Sequence, residues 1–168
     1  QAVGAARRGL ILEAARAVFA ESGLDGASLR EIARRAGYTP GALYSYFDSK
    51  EAIYAELLGE SLTRLQAAVQ AAKPPGPRKP RARAIETGAG KPEGSAAAQH
   101  LVAKARGWLD FYARHPRDLD LGFYLVHGLG PKGLTSELNH QLNQRLLDAL
   151  APCEEALRAL GCPADEAR

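Results

Sequence analysis

The chain has 168 residues, of which 46% are hydrophobic, 24% charged and 7% aromatic, enough apolar material for one compact domain or a small domain joined to a modest one. No unbroken apolar stretch approaches the roughly 18 residues of a membrane span, and no apolar signal region opens the chain, so no membrane association is expected and a reduced, cytoplasmic setting is the simplest reading. The net charge of +3 is unevenly placed: residues 1–72 are neutral, 73–95 carry +4 and 96–168 carry −1, so bulk charge alone marks no nucleic-acid footprint.

Cys153 and Cys162 make no disulfide scaffold. On one helix they lie about 13 Å apart, too far to bridge. Met is absent and Gln1 opens the sequence, which points to a chain trimmed from a longer one.

In chain order, Ile11, Ala15, Val18 and Phe19 recur at helical spacing, and Gly23 is a natural stop. Ser28-Leu29-Arg30-Glu31 reads as a capping box, in which the Ser28 hydroxyl accepts from the Glu31 amide and the Glu31 side chain reaches back. Leu29, Ile32, Ala33 and Ala36 form its apolar stripe. Gly37 supplies a left-handed residue at its end. Thr39 caps a short third helix with Pro40 in its first turn, and Leu43 and Phe47 are its inward side. Asp48 or Ser49 caps a fourth helix, whose apolar face runs from Tyr54 through Leu57, Leu58, Ser61, Leu62 and Leu65 to Val69.

Residues 73–95, KPPGPRKPRARAIETGAGKPEGS, hold five prolines and a single large aliphatic residue, Ile85. They read as a flexible basic loop. Helical periodicity returns at His100, Leu101, Lys104, Trp108, Phe111 and Tyr112 and stops at Pro116. Leu119, Phe123, Leu125 and Val126 suggest a short apolar helix, broken at Gly128–Gly133. Leu138, Leu142, Leu146, Leu150, Leu157 and Leu160 mark a last helix that Pro152 could kink. No segment alternates with period two over a strand's length, so the fold class is all-α.

Two helices joined by an AGYT turn have helix-turn-helix geometry, with the second helix free to enter a major groove. Its outward residues, Thr39, Gly41, Ala42 and Ser45, are small enough for close approach to base edges. Tyr44 and Tyr46 carry hydroxyls suited to phosphates. Lys50 opens the next helix, where its charge and the free N–H groups could face one phosphate. Each has a plainer reading: Tyr44 as a core aromatic, Lys50 as a solvated lysine, and Arg30, Arg34 and Arg35 as a wet helix face.

The elements ILEAARAVFAESG, ASLREIARRAG and GALYSYFDSKEAI, in this order and spacing across about residues 7–66, resemble the N-terminal domain of TetR-family transcriptional regulators. The resemblance implies a three-helix DNA-binding domain (1–50), a linking helix (51–72) and, beyond the loop at 73–95, a helical effector-binding and dimerisation domain (96–168), incomplete at its C-terminus. It implies that Thr39, Gly41, Ala42, Ser45 and Tyr46 read or approach bases. Tyr44 and Lys50 would hold phosphates, helped by Ser28 and Arg30, with Arg7 and Arg8 as a possible N-terminal arm. The implied partners are a double-stranded DNA operator, a small apolar or aromatic effector and a second copy of the chain.

Five of the eleven aromatics, Trp108, Phe111, Tyr112, Phe123 and Tyr124, fall within seventeen residues, and His127 follows. They suit an apolar cavity with a few polar handles, although core packing explains each aromatic singly and His127 fits a structural role. His100, His115, His127 and His140 show no metal-ligand spacing, so neither metal nor cofactor is expected. No nucleophile elbow, P-loop or dinucleotide fingerprint occurs, and Asp118 and Asp120 point to different helix faces, so an enzyme is not expected. The leading reading is a ligand-responsive dimeric regulator, a repressor in most of the family. The alternative is a helical sensor or interaction protein without specific DNA binding.

Overall fold

The computed structural model describes residues 2–74, 96–126 and 134–163. Their regular elements are seven helices: α1 (Ala2–Gly26), α2 (Leu29–Ala36), α3 (Pro40–Tyr44), α4 (Lys50–Ala71), α5 (Ala96–Arg114), α6 (Pro116–Val126) and α7 (Ser136–Ala159). The all-α expectation holds for this part of the chain. The loop expected at 73–95 lies, from residue 75 on, outside the described residues, as does the break expected at Gly128–Gly133.

The first three helices close over one core because their apolar residues repeat at helical spacing. Ile11, Ala15, Val18 and Phe19 of α1 are buried, with Ile32 and Ala33 of α2, Leu43 of α3 and Phe47 just beyond it. Gly23 has φ 67° and ψ 177°, so the helical path of α1 breaks where the sequence placed its stop, and Leu24 turns into the core.

α4 runs through both halves. Its 22 residues span about 33 Å. It packs on α1, α5, α6 and α7. Ile53, Tyr54, Leu57, Leu58, Leu62, Leu65 and Val69 are buried along it. The Tyr54 ring meets Phe19 edge-on at 6.0 Å, and its hydroxyl donates to the Leu121 carbonyl at 2.7 Å, joining α1, α4 and α6 at one point. α5 approaches α4 closely at Gly107, where a Cβ would stand 2.7 Å from the Ala72 Cβ.

Two faces in the second half differ from the expected ones. In α6 the inward residues are Asp118 and Leu121, while Leu119 is 41% exposed. In α7 the buried residues are Leu142, Ala149 and Ala156, with Leu150, and Leu160 just beyond the helix, turned outward. The seven-residue spacing of that trio defines the seam, and alanine at two of its three positions suits close approach to α4 and α5. Leucine content pointed elsewhere because the outward leucines share α7 with small inward residues. Pro152 stands inside α7, which continues to Ala159.

Candidate nucleic-acid interface

Backbone hydrogen bonding fixes the turn between α2 and α3. The Ser28 hydroxyl accepts from the Glu31 N–H at 3.2 Å and starts α2. Gly37, at φ 75°, ends it, with the Gly37 N–H bonding Arg34 O at 3.3 Å and the Tyr38 N–H bonding Ala33 O at 2.9 Å. Thr39 then caps α3 by accepting from the Ala42 N–H at 3.2 Å. Ser45 closes α3, its hydroxyl donating to the Ala42 carbonyl at 2.7 Å. The cap of α4 is Ser49 rather than Asp48: its hydroxyl accepts from the Ala52 N–H at 3.0 Å.

With Leu43 fully buried, α3 presents Thr39, Gly41, Ala42, Tyr44 and Ser45 to the outside, and Tyr46 is half-buried. Tyr44 is 56% exposed, which removes the core-aromatic reading. A cleft of about 590 Å³ between the starts of α2 and α4 brings together Ser28, Arg30, Tyr44 and Lys50. Two helix N-termini with their unpaired N–H groups thus meet beside one exposed phenol.

The charges around this surface are sorted by ion pairing. Arg34 donates to Glu31 at 2.7 and 2.9 Å, and Arg35 to Glu31 at 2.9 Å and to Glu21 at 2.7 Å. The bonds from Arg34 and then Arg35 hold the Glu31 carboxyl down at about 2. Only half of the expected capping box therefore forms, because the Glu31 side chain serves these arginines and not the Ser28 amide. Arg30 is exposed and, among the described residues, has no ion-pair partner.

Two expected DNA contacts are engaged within the chain. Lys50 Nζ donates to the carbonyls of Leu24, Asp25 and Ala27 at 2.8, 3.1 and 3.0 Å. All three of its protons are used, so here Lys50 ties α4 to the end of α1 and does not stand free for a phosphate. Arg8 bonds both carboxylate oxygens of Glu56 and donates to Tyr46 O at 3.1 Å, and its guanidinium lies 4.1 Å from the Phe47 ring centroid. It pins α1 to the α3–α4 connection instead of forming an arm. Partners 23 to 48 residues away in sequence create both ties. No local pattern announces them. Arg7 remains exposed.

In the second half, the Trp108 and Tyr112 rings meet at 4.9 Å and the Phe111 and Tyr112 rings at 5.2 Å, both edge-on. Burial, with the Asp118 charge second, raises the Tyr112 hydroxyl above its ordinary range. The buried Trp108 Nε1 and Ser61 Oγ have no hydrogen-bond partner among the described residues. A separate cavity of about 630 Å³ opens between α4 and α7, lined by Glu56, Glu60, Arg64, Leu138, Leu142 and Arg145 among others, not by these aromatics. The side chains of Phe123 and Tyr124, and His127 altogether, lie outside the described residues. Among the described residues no group of three or more His, Cys, Asp or Glu is placed to hold a metal, and no helix is long and apolar enough to cross a membrane.

Comparison with known proteins gives this geometry a context. Residues 11–57 match the family model of bacterial regulatory proteins, tetR family. Over 52 residues, 31% of this chain and 26% of the relative, the sequence is 52% identical to the HTH-type transcriptional repressor KstR2 of Mycobacterium tuberculosis. Over 59 residues, 35% of this chain and 31% of the relative, it is 39% identical to the repressor AcnR of Corynebacterium diphtheriae. The chain thus matches about a quarter to a third of the length of these relatives. Among solved structures, a tetR-family regulatory protein from Rhodococcus RHA1 superposes with a TM-score of 0.67 at 21% identity, over 92% of this chain and 71% of that one. PfmR from Thermus thermophilus, a TetR-family regulator, gives 0.66 at 21% identity, over 89% and 68%. At that identity the likeness is one of fold. The repressor-like sequence covers α1 to the first turns of α4, the same stretch that builds the exposed face of α3, and it is this segment that is similar to the tetR family of bacterial regulatory proteins.

Proposed function

We propose that the protein is a ligand-responsive transcriptional regulator, a repressor, that binds a palindromic DNA operator as a homodimer and is released by a small apolar or aromatic effector. In this reading residues 1–50 bind DNA, 51–72 link, and 96–168 bind the effector and dimerise. The exposed small-residue face of α3 carries the proposal: Thr39, Gly41, Ala42 and Ser45 let the helix backbone come close to base edges. Tyr46 stands at the edge of that face. Tyr44, Ser28 and Arg30 border it as phosphate ligands. The Trp108, Phe111 and Tyr112 cluster, with an unpartnered indole N–H, supports an effector site reached from α5. Phe123, Tyr124 and His127 are carried from the sequence as further lining residues. Control is a population shift: the effector favours a dimer whose two α3 helices no longer match successive major grooves, about 34–36 Å apart. Selection of bound DNA from a random pool tests the reading. Enrichment of an inverted repeat is the expected result, and no enrichment over input overturns it.

A further inference from the structure

A second cleft, of about 380 Å³, lies at the junction of α1, α4 and the α5–α6 turn, where Arg16, Arg64, Arg114, His115 and Arg117 converge with Glu13 and Asp118. Four guanidinium groups face two carboxylates there, and one of those carboxylates is already neutralised twice. Asp118 is 4% exposed and accepts from Arg16 at 3.0 Å and from Arg64 at 2.9 Å on each oxygen. Glu13 is a looser partner, 3.6 Å from Arg16 and largely in solvent. Arg117 has no partner among the described residues, and the one hydrogen bond of the Arg114 side chain runs from its Nε to the Asp110 carbonyl at 2.9 Å. The terminal nitrogens of Arg114 and all of Arg117 are thus uncommitted cations flanking the start of α6. The positive end of that helix adds to the field.

We propose that this cleft is a binding site for a small oxyanion, a phosphate or carboxylate group, held by Arg114 and Arg117 over the Arg16–Asp118–Arg64 base. Planar forked donors of this kind suit two-oxygen recognition, and a bound anion would offset the positive charge that Arg114 and Arg117 leave uncompensated once Arg16 is paired with Asp118, Glu13 and Glu60. The site is not part of the proposed DNA surface. Arg64 lies fourteen residues beyond Lys50 on α4, about 21 Å along the helix axis. The proposal therefore stands or falls independently of operator binding.

Thermal unfolding of the full 168-residue chain tests it, with sodium phosphate and sodium succinate each compared with sodium chloride at equal ionic strength. A saturable rise with either probe, about 2–4 °C at roughly five times its dissociation constant, is the expected result and identifies the oxyanion class. Arg114→Gln/Arg117→Gln should keep the melting temperature in chloride and lose at least most of the oxyanion-specific rise. No rise above chloride with either probe overturns the proposal, as does a rise of full size in the double variant.

Discussion

A Cβ added at Gly41 would meet no atom of the chain within 4 Å, and the residue sits on the exposed side of α3. Gly41→Leu therefore removes only helix-unfavourable glycine from the folded protein and should leave stability unchanged or raise it by up to about 1 kcal/mol. On the proposed function, operator affinity should nevertheless collapse, because the new side chain would fill the space that a groove-bound α3 needs. A urea melt paired with operator titration checks both halves, and undiminished affinity would show that α3 makes no close approach. Lys50 sits at the opposite extreme. Its ammonium group holds three carbonyls, so Lys50→Ala should lower stability by about 1–3 kcal/mol through the lost charge-assisted bonds. The salt slope of DNA binding should hardly change. Arg30→Gln should do the reverse, with little effect on the melt and a log–log salt slope lower by about one unit. A full unit lost in the Lys50 variant would mean that Lys50 leaves its carbonyls for a phosphate in the complex.

At the scale of elements, the caps explain which parts could be read from sequence. Ser28, Gly37, Thr39 with Pro40, and Ser49 act on groups within five residues of themselves, so their spacing alone announced α2, the turn, α3 and the start of α4. Side chains with two available partners were less legible. Glu31 had the capping-box spacing, yet two arginines one turn further on outcompete a backbone amide for its carboxylate. The inward faces of α6 and α7 were misread for a related reason: counting large aliphatics overlooks an aspartate buried by distant arginines and alanines buried by close packing. The Glu31 cluster has a measurable pH signature. Its carboxyl is held at about 2 in the folded protein, below its ordinary 4.5, so its contribution is complete above the ordinary value and disappears as pH falls toward 2. The advantage of the wild-type protein over Glu31→Gln should therefore shrink steadily as pH drops from about 5 in paired thermal melts. A constant difference across that range would mean that the pairs with Arg34 and Arg35 do not persist in solution.

Across the whole molecule, the helices of the first half meet those of the second half along α4, and their one charged joint among the buried residues described is Asp118. It anchors the first turn of α6 to Arg16 of α1 and Arg64 of α4. Nothing local in the sequence marks it, since its partners lie 102 and 54 residues away. Desolvation decides the energetics. Arg16 keeps only 13% of its side-chain exposure, so removing the carboxylate leaves a nearly buried cation with only the looser, more exposed carboxylates of Glu13 and Glu60 at 3.6 Å, whereas Arg64, about half exposed, recovers water and loses little. Asp118→Asn should then cost about 2–4 kcal/mol, most of it through Arg16. The same reasoning makes the pair non-additive: once Arg16 is replaced by Met, whose stem fills similar apolar space, the further loss on changing Asp118 should be much smaller. Urea denaturation of Arg16→Met, Asp118→Asn and the double variant closes the cycle. A coupling energy above about 1 kcal/mol is the expected outcome, and additivity within about 0.5 kcal/mol would mean that α1 and α6 are held together by the Tyr54–Leu121 contact and its apolar surroundings alone.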